Sequence, residues 1–410
     1  MSQAKLFVGI DVASRKFDVS FLGADKKPVR PIATYENDHA GWMALIDTLE
    51  TLGAAHGPVL CGMESTGSWH KHLERMLGEH EGTSIEVCTL NPYGVKHFAR
   101  ALLMDSKTDK TDSKLIALYL VHMKPEPNYR PIPGNEELKE ATRSRRRLIE
   151  DRSQAKNRLH KLMNSHYPGY RTLVGETFTV RLLTLLSDMQ SPCAILAHTI
   201  EDLAQRSTGH RHRMGAEFAG KLHQLARLAP KQALSKTTEL LIQMGAQRIL
   251  QLSEHLRELD KCIDRMLSEL YPDQHLTSIP GIGPVSAAAI LAEVGDVTRF
   301  PDKTQFIGYC GLYPIVWESG NTKRRYQMTR KGNRILKTTL LVVTASARQY
   351  NPVIAAFYER LRKRDKSTKA AGGALARKLA GLVFAILSKN EPWSADVAQR
   401  GLEKANAMLA

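Results

Sequence analysis

Residues 124–134, KPEPNYRPIPG, hold four prolines and a closing glycine. Proline fixes φ and removes a backbone donor, so neither a helix nor a sheet ladder runs through such a stretch. The chain divides there. Ahead of it, strand and helix signals alternate; beyond it, helical patterning dominates.

In the first part, KLFVGIDVAS and KFDVSFLG read as two strands of a hairpin, and PIATYEN as a third. HAGWMALIDTLETLG has helical periodicity, PVLCGMES is a short buried strand, WHKHLERMLGEH a helix, SIEVCTLN a strand and YGVKHFARALL a helix. Hairpin strands followed by strand–helix alternation predict a mixed α/β sheet. Beyond the prolines, residues 135–166 read as one long charged helix with a loose stripe of Leu138, Leu148, Leu159 and Leu162. A second long amphipathic helix follows within 230–270, and the pair suggests a helical or coiled-coil region, with intramolecular packing equally open. From Thr277, SIPGIGPVSAAAIL reads as a turn entering a helix. FIGYCGLYP and VWESGNTKRRYQM have strand-and-turn character, and GNRILKTTLLVVTASARQY and ALARKLAGLVFAILS are helices. The expected division is 1–125, an α/β domain; 126–270, linker and helical or coiled-coil region; 271–395, a mainly helical domain; and 396–410, a tail. The fold class is therefore α/β plus all-α.

The formal net charge is +16, from 58 Lys and Arg against 42 acids among 410 residues. An excess of that size suggests a polyanionic partner. It is concentrated: Arg143, Arg145, Arg146, Arg147, Arg152, Lys156, Arg158 and Lys161 crowd one predicted helix, and residues 321–337 carry seven basic residues and no acid. Five scattered cysteines without a CxxC pair read as buried, reduced thiols of a cytoplasmic protein. The His70/His72 and His210/His212 pairs have no zinc spacing and read as surface residues. The N-terminus has no signal-peptide layout, and no apolar run approaches the ~18 residues of a membrane span, so no membrane partner is expected.

Against that positive background, acids gather at chosen places. Asp11 stands near the end of the first strand, Glu64 at the end of a later buried strand, and Asp105, Asp109 and Asp112 at the entry to a helix. Acids at strand ends converge at one sheet edge, and helical spacings of four and three share a face. Their repulsion is relieved by hard divalent ions, Mg2+ or Mn2+, and two such ions can stabilise both oxygens of a phosphodiester displacement. Singly, Asp11 reads as a turn residue and Asp109 as a helix cap; the ordered set is what points to chemistry. The first motif also has the look of an actin-like phosphate loop. The later glycine-rich adenosine motif that reading needs has only PGIGPVSAA to offer, in a basic context.

GIDVASRKFDVSFL, GMESTGSW, NPYGVKHFARALLMDSKTDKTDSKLIA, LTSIPGIGPVSAAAILAEVGD and FIGYCGLYPIVWESGNTKRRYQMTRKGNRILKTTL, in that order, resemble the successive blocks of the DEDD transposases of bacterial insertion sequences. This group includes pilin-gene invertases and bridge-RNA-guided recombinases, and the resemblance runs from about residue 5 to 390. It implies an RNase H-like, RuvC-type N-terminal domain with Asp11, Glu64, Asp109 and Asp112 as metal ligands. Lys107-Thr108-Asp109, Asp112 and Ala117 match the paired-acid block, with Ser113 where a smaller residue is usual. Asp105 falls outside that block, but a second Lys-Thr-Asp at 110–112 leaves the register open. In the C-terminal domain the resemblance implies Ser319 as a nucleophile that links covalently to DNA. Bottom-up, Ser319-Gly320 before a basic run reads as a turn. Lys323, Arg324, Arg325, Arg330, Lys331 and Arg334 fit a phosphate-lined site. SIPGIGPVSAAAIL resembles a helix-hairpin-helix, whose Gly281 and Gly283 would admit a phosphate. Arg145, Arg146, Arg147, Arg152 and Arg158 are candidates for binding a non-coding guide RNA. The implied activity is a metal-dependent, serine-using site-specific DNA recombinase, a homodimer assembling to a tetramer on DNA in the bacterial cytoplasm. The alternatives are a hydrolytic metal-dependent Holliday-junction nuclease and a non-enzymatic nucleic-acid-binding regulator.

Overall fold

The structure, a computed structural model, describes residues 5–394 apart from 66, 68, 83, 104–108, 168, 172–176, 208–212, 230–233, 318–324, 330 and 365–366, and without the side chains of 109–111, 316–317 and 325–327. The chain forms two compact units, Met1–Pro131 and Ile132–Ala410.

The first unit runs β1 (Leu6–Val12), β2 (Lys16–Gly23), β3 (Pro28–Glu36), α1 (His39–His56), β4 (Val59–Glu64), α2 (Lys71–Gly78), β5 (Ile85–Leu90), α3 (Pro92–Ala101) and α4 (Asp109–Met123). The sheet order is β3-β2-β1-β4-β5. β1, β2 and β3 pair antiparallel, whereas β1, β4 and β5 pair parallel. Both faces are covered, so β1 is buried almost throughout. Leu6, Val8 and Ile10 share a core with Leu45 and Leu49 of α1 and Leu73 and Leu77 of α2. The alternate residue Phe7 shares the opposite core with Leu22, Leu60 and Leu115, Ile116 and Leu120 of α4. At Gly9, α4 touches the strand itself: a Cβ there would collide with the Ser113 carbonyl oxygen and the Ala117 amide nitrogen. Only glycine lets helix and strand backbones meet.

His70 corrects the surface reading of its pair. It is buried, because it precedes α2 where that helix packs on the sheet, and it faces Glu74 at 4.0 Å; His72 stacks on Trp42 with centroids 5.7 Å apart. After α4, the proline segment lies along the outer edge of β5. The amides of Asn128 and Tyr129 donate to the Val87 carbonyl at 3.1 and 3.3 Å. The Asn128 side chain accepts from the Thr89 amide at 2.8 Å and donates to its carbonyl at 2.9 Å. Tyr129 packs on Gly78, and burial together with Glu79 and Glu74 pushes its phenol up to about 12.

The second unit runs α5 (Asn135–His166), α6 (Val180–Asp188), α7 (Pro192–Leu196), α8 (Ile200–Gln205), α9 (Ala216–Leu228), α10 (Lys236–Leu270), α11 (Pro284–Val294), α12 (Lys303–Tyr309), the hairpin strands β6 (Pro314–Trp317) and β7 (Arg325–Met328), α13 (Arg334–Tyr350), α14 (Pro352–Lys363) and α15 (Thr368–Lys389). The two long helices α5 and α10 pair with each other antiparallel: Arg145 meets Asp260, Arg152 meets Ser253, and Leu159 packs on Gly245. One end of the pair joins a core with α6 to α9, through Leu159, Leu182, Leu222 and Ile249. The other joins a core with α11 to α15, through Leu138, Ile263, Ile290, Leu340 and Leu379.

Three expectations need correction here. FIGYCGLYP is not strand-like at its start: it lies in α12, capped by Asp302 accepting from the Gln305 amide at 2.8 Å and closed by Gly311 at φ 67°. Its aromatic and β-branched residues read as strand, but the cap and terminator set a helix, and Phe306 and Ile307 fill the core. Helix α15 is long and apolar enough to cross a membrane by length and composition. Here Ala371, Leu375, Ala376, Leu379 and Val383 of that helix are buried in the protein core. Among the cysteines, Cys61, Cys88 and Cys310 are buried, but Cys193 is exposed on α7.

Candidate active site

The topology places two acids of the first unit at the ends of adjacent strands. Ile10 of β1 pairs in parallel register with Met63 of β4, so the next residues, Asp11 and Glu64, stand side by side at the C-terminal ends of adjacent strands. Asp11 alternates with Gly9 and therefore lies on the α4 face. Asp112 immediately precedes Ser113, whose carbonyl rests on Gly9. Asp109 begins α4 one turn earlier. The side chain of Asp109, all of Asp105 and the matching Lys107-Thr108 lie outside the described residues. Among the described residues no three acids, histidines or cysteines close into a metal-holding group. The donor chemistry nevertheless fits a hard divalent cation, since Asp11, Glu64 and Asp112 all offer carboxylate oxygens.

Two further residues at this edge carry no motif signal. Asp18 lies directly opposite Asp11 in the β1–β2 ladder and is buried, with its carboxylate accepting from the Thr34 hydroxyl. Directly opposed residues of an antiparallel pair share a face. The alternation of FDVSF marks this face as polar; burial follows only because α4 covers it. Asn37 gathers three loops. Its amide nitrogen donates to the carbonyls of Ala13 at 2.9 Å and Trp69 at 3.4 Å, its carbonyl oxygen accepts from Trp42 Nε1 at 2.8 Å, and its backbone amide donates to Arg15 at 2.7 Å. The segments following Asp11 and Glu64 are thereby tied to one side chain.

In the second unit the basic candidates have varied surroundings. Arg145 is held by Asp260, Arg146 by Glu150 at 3.1 Å, and Arg147 by Glu140 at 2.5 Å. Arg152 reaches Ser253 at 3.5 Å, whereas Arg158 is exposed. Of these, Arg145 and Arg152 line a cavity of about 420 Å³ between α5 and α10, with Lys156, Phe178 and Arg257. Burial and then the charge of Arg152 hold the Lys156 ammonium below its ordinary value. Arg143 forms the deepest pair, donating to the fully buried Glu293 at 2.7 and 2.9 Å. Asn333 adds a bond to Glu293 at 2.7 Å and caps α13. Burial alone would raise the Glu293 carboxyl; the bonds from Arg143 and Asn333 outweigh it and hold it below the usual carboxylate range.

Gly281 has an internal reason for its residue type: at φ 97°, a Cβ would run into the Ala347 backbone of α13. Gly283 has open space around it at the N-terminus of α11. Ser319, Lys323, Arg324 and Arg330 lie outside the described residues, as does the side chain of Arg325; Lys331 and Arg334 are exposed between β7 and the start of α13.

A transposase model of the DEDD IS110 type matches residues 8–168, and the model described as Transposase IS116/IS110/IS902 family matches residues 273–359. The chain is 23% identical to a pilin gene-inverting protein of Moraxella bovis, over 95% of this chain and 98% of that protein. It is 24% identical to an uncharacterized protein of insertion element IS116 of Streptomyces clavuligerus, over 93% and 94%. A further relative, an uncharacterized protein of insertion element IS110 of Streptomyces coelicolor, is 26% identical over 58% of this chain and 60% of that protein. The two models match at opposite ends of the chain, one across the acid-bearing sheet and the other across the segment with the basic hairpin, and full-length relatives span both: the chain belongs to the IS110/IS116 family of DEDD transposases.

Proposed function

We propose that this protein is the transposase of an insertion sequence, a divalent-metal-dependent DNA recombinase. It would break and rejoin DNA through a covalent phosphoserine intermediate at Ser319. The observation that carries the reading is the placement of Asp11 and Glu64 directly after the last paired residues, Ile10 and Met63, of neighbouring parallel strands, with Ser113 of α4 resting on Gly9 of the first. The strand order β3-β2-β1-β4-β5, with an antiparallel hairpin leading into parallel strands, supports an RNase H-like assignment for this unit. Full-length similarity to a pilin gene-inverting protein supports recombination as the class of reaction.

In this reading Asp11, Glu64, Asp109 and Asp112 hold Mg2+ or Mn2+ at the strand ends. When bound, the metal supplies charge stabilisation for the phosphodiester displacement. The Ser319 hydroxyl attacks the phosphorus, the 3′ or 5′ oxygen of the cut strand leaves with a proton, and the phosphoserine ester conserves the bond energy for rejoining without ATP. Lys323, Arg324, Arg325, Arg330, Lys331 and Arg334 contact flanking phosphates. Gly283 and the N-terminus of α11 provide a sequence-independent phosphate grip of helix-hairpin-helix type. The cavity between α5 and α10, with Arg152 and Lys156 exposed to it, is where a guide RNA would gain purchase. Exchange between two DNA sites requires more than one copy, a dimer assembling to a tetramer in the bacterial cytoplasm.

The test is covalent trapping. Protein is incubated with end-labelled element-junction DNA, Mg2+ and RNA transcribed from the element's flanks, then denatured. Label should migrate with wild-type protein and be absent with Ser319→Ala and with Asp109→Ala. Cleaved DNA without attached protein, unchanged in Ser319→Ala, would establish water as the nucleophile and replace this mechanism with junction hydrolysis.

A further inference from the structure

Trp69 is 53% exposed although its carbonyl is bound by the Asn37 side chain at 3.4 Å. It lies five residues after Glu64. Its carbonyl is bound by the same Asn37 amide that binds Ala13, two residues after Asp11. Two acceptors on one amide nitrogen are within roughly 6 Å of each other. The backbone of Trp69 is therefore fixed against the strand end that bears Asp11. Asn37 is in turn fixed by Trp42 and by the Arg15 carbonyl. The indole packs beside Gly67, with a Cβ there 3.6 Å from its Cδ1, and still presents more than half its surface to solvent. Arg15 is exposed in the β1–β2 turn of the same cluster.

An indole left in water loses the gain of burying its large apolar surface. Holding its backbone by a side chain that also binds the turn after Asp11 makes sense if another planar group covers it. A strand of nucleic acid whose phosphate reaches Asp11 and Glu64 brings a nucleobase to that distance, and every base offers a π-face. We propose that Trp69 is a base-stacking residue. It takes the nucleobase next to the phosphate at the Asp11–Glu64 edge and holds it out of the duplex stack, while Arg15 contacts the adjoining phosphate. Asn37 is the positioning residue that keeps this platform in register with the acids. The inference uses the DNA-processing reading of the acid edge, but not the identity of the nucleophile.

The experiment uses the full chain with Ca2+ in place of Mg2+ and element-end duplexes carrying 5-iodouracil at one position at a time. Irradiated wild-type protein should crosslink at one or two adjacent positions, through a peptide containing Trp69. In parallel, 2-aminopurine at those positions should change fluorescence on binding to wild type and to Trp69→Phe but not to Trp69→Leu. The leucine variant should bind about 5- to 100-fold more weakly, the phenylalanine variant within about fivefold of wild type. Crosslinks only at other residues, or no crosslink, overturn the proposal on unaltered protein, whatever the variants do. So does a folded Trp69→Leu with wild-type affinity and an unchanged 2-aminopurine profile. A Trp69 crosslink with no covalent phosphoserine adduct in Mg2+ would refute the serine mechanism alone; an adduct without the crosslink would refute the stacking role alone.

Discussion

The acid edge of the first unit and the arginine-rich helix of the second carry opposite charges, and the fold uses them in opposite ways. On α5, Arg143, Arg145, Arg146 and Arg147 each have a carboxylate partner within the unit, two of them across to Glu293 and Asp260. On the sheet, Asp11 and Glu64 meet because two parallel strands end together. A helix with many arginines reads as a nucleic-acid footprint by count, yet four of its six arginines are already paired with carboxylates. The minority charge of this basic chain is the one set at the ends of adjacent strands. What a charge is bonded to decides its meaning more than how many charges surround it.

The largest effect that would break the comparison comes from the acids themselves. Asp11→Ala or Glu64→Ala is expected to cut covalent-adduct formation by about a thousandfold or more while leaving the thermal midpoint near wild type. Adduct formation at wild-type rate in either variant would remove the acid edge from the chemistry. Next comes Glu293→Ala, which strands Arg143 and should cost roughly 3–5 kcal/mol in denaturant unfolding. Because the folded Glu293 carboxyl is depressed, its contribution is present above the usual carboxylate range and is lost as pH falls through the folded value. Wild type should therefore lose more stability than Glu293→Gln on acidification below that range, and parallel pH profiles would count against the assignment. Gly9→Ala should cost about 1–3 kcal/mol by pushing α4 off β1. It should also slow adduct formation, since Asp109 and Asp112 ride on that helix. The smallest effect sharpens the contrast within α5. Arg158→Ala, on an exposed position, should lower the salt dependence of nucleic-acid binding by about one phosphate contact. Arg145→Ala should leave that slope alone and cost about 1 kcal/mol or less of stability. Equal slopes for the two would mean that the Asp260 pair opens on binding.

Much of this was legible in the sequence where the signal is local. The bounds of α5 follow from the proline segment before it and its own pattern, and the strand-end positions of Asp11 and Glu64 follow from alternating strands bounded by turns. What escaped was non-local. Glu293 lies 150 residues from Arg143, and Asp260 lies 115 from Arg145. No periodicity in α5 announces either. Asp18 is buried only because α4 returns across the sheet, and the demand for glycine at position 9 comes from the same crossing. Asn37 sits beside Asp38, the cap of α1, so its neighbourhood reads as an ordinary helix start, and its grip on two other loops exists only after folding. The helix at FIGYC was masked by residues that prefer strands when nothing else is known.

The proline segment that first divided the chain has one more consequence. By bonding the Val87 carbonyl and both backbone groups of Thr89, Asn128 and Tyr129 occupy the outer ladder of β5 with side-chain and backbone amides in place of a sixth strand. An uncovered parallel edge invites any extended chain to zip onto it. Here the connector to the second unit has already taken that place. A mobile element's enzyme is made in cells full of nascent chains, and this one reaches them with that part of its sheet already closed to strand exchange.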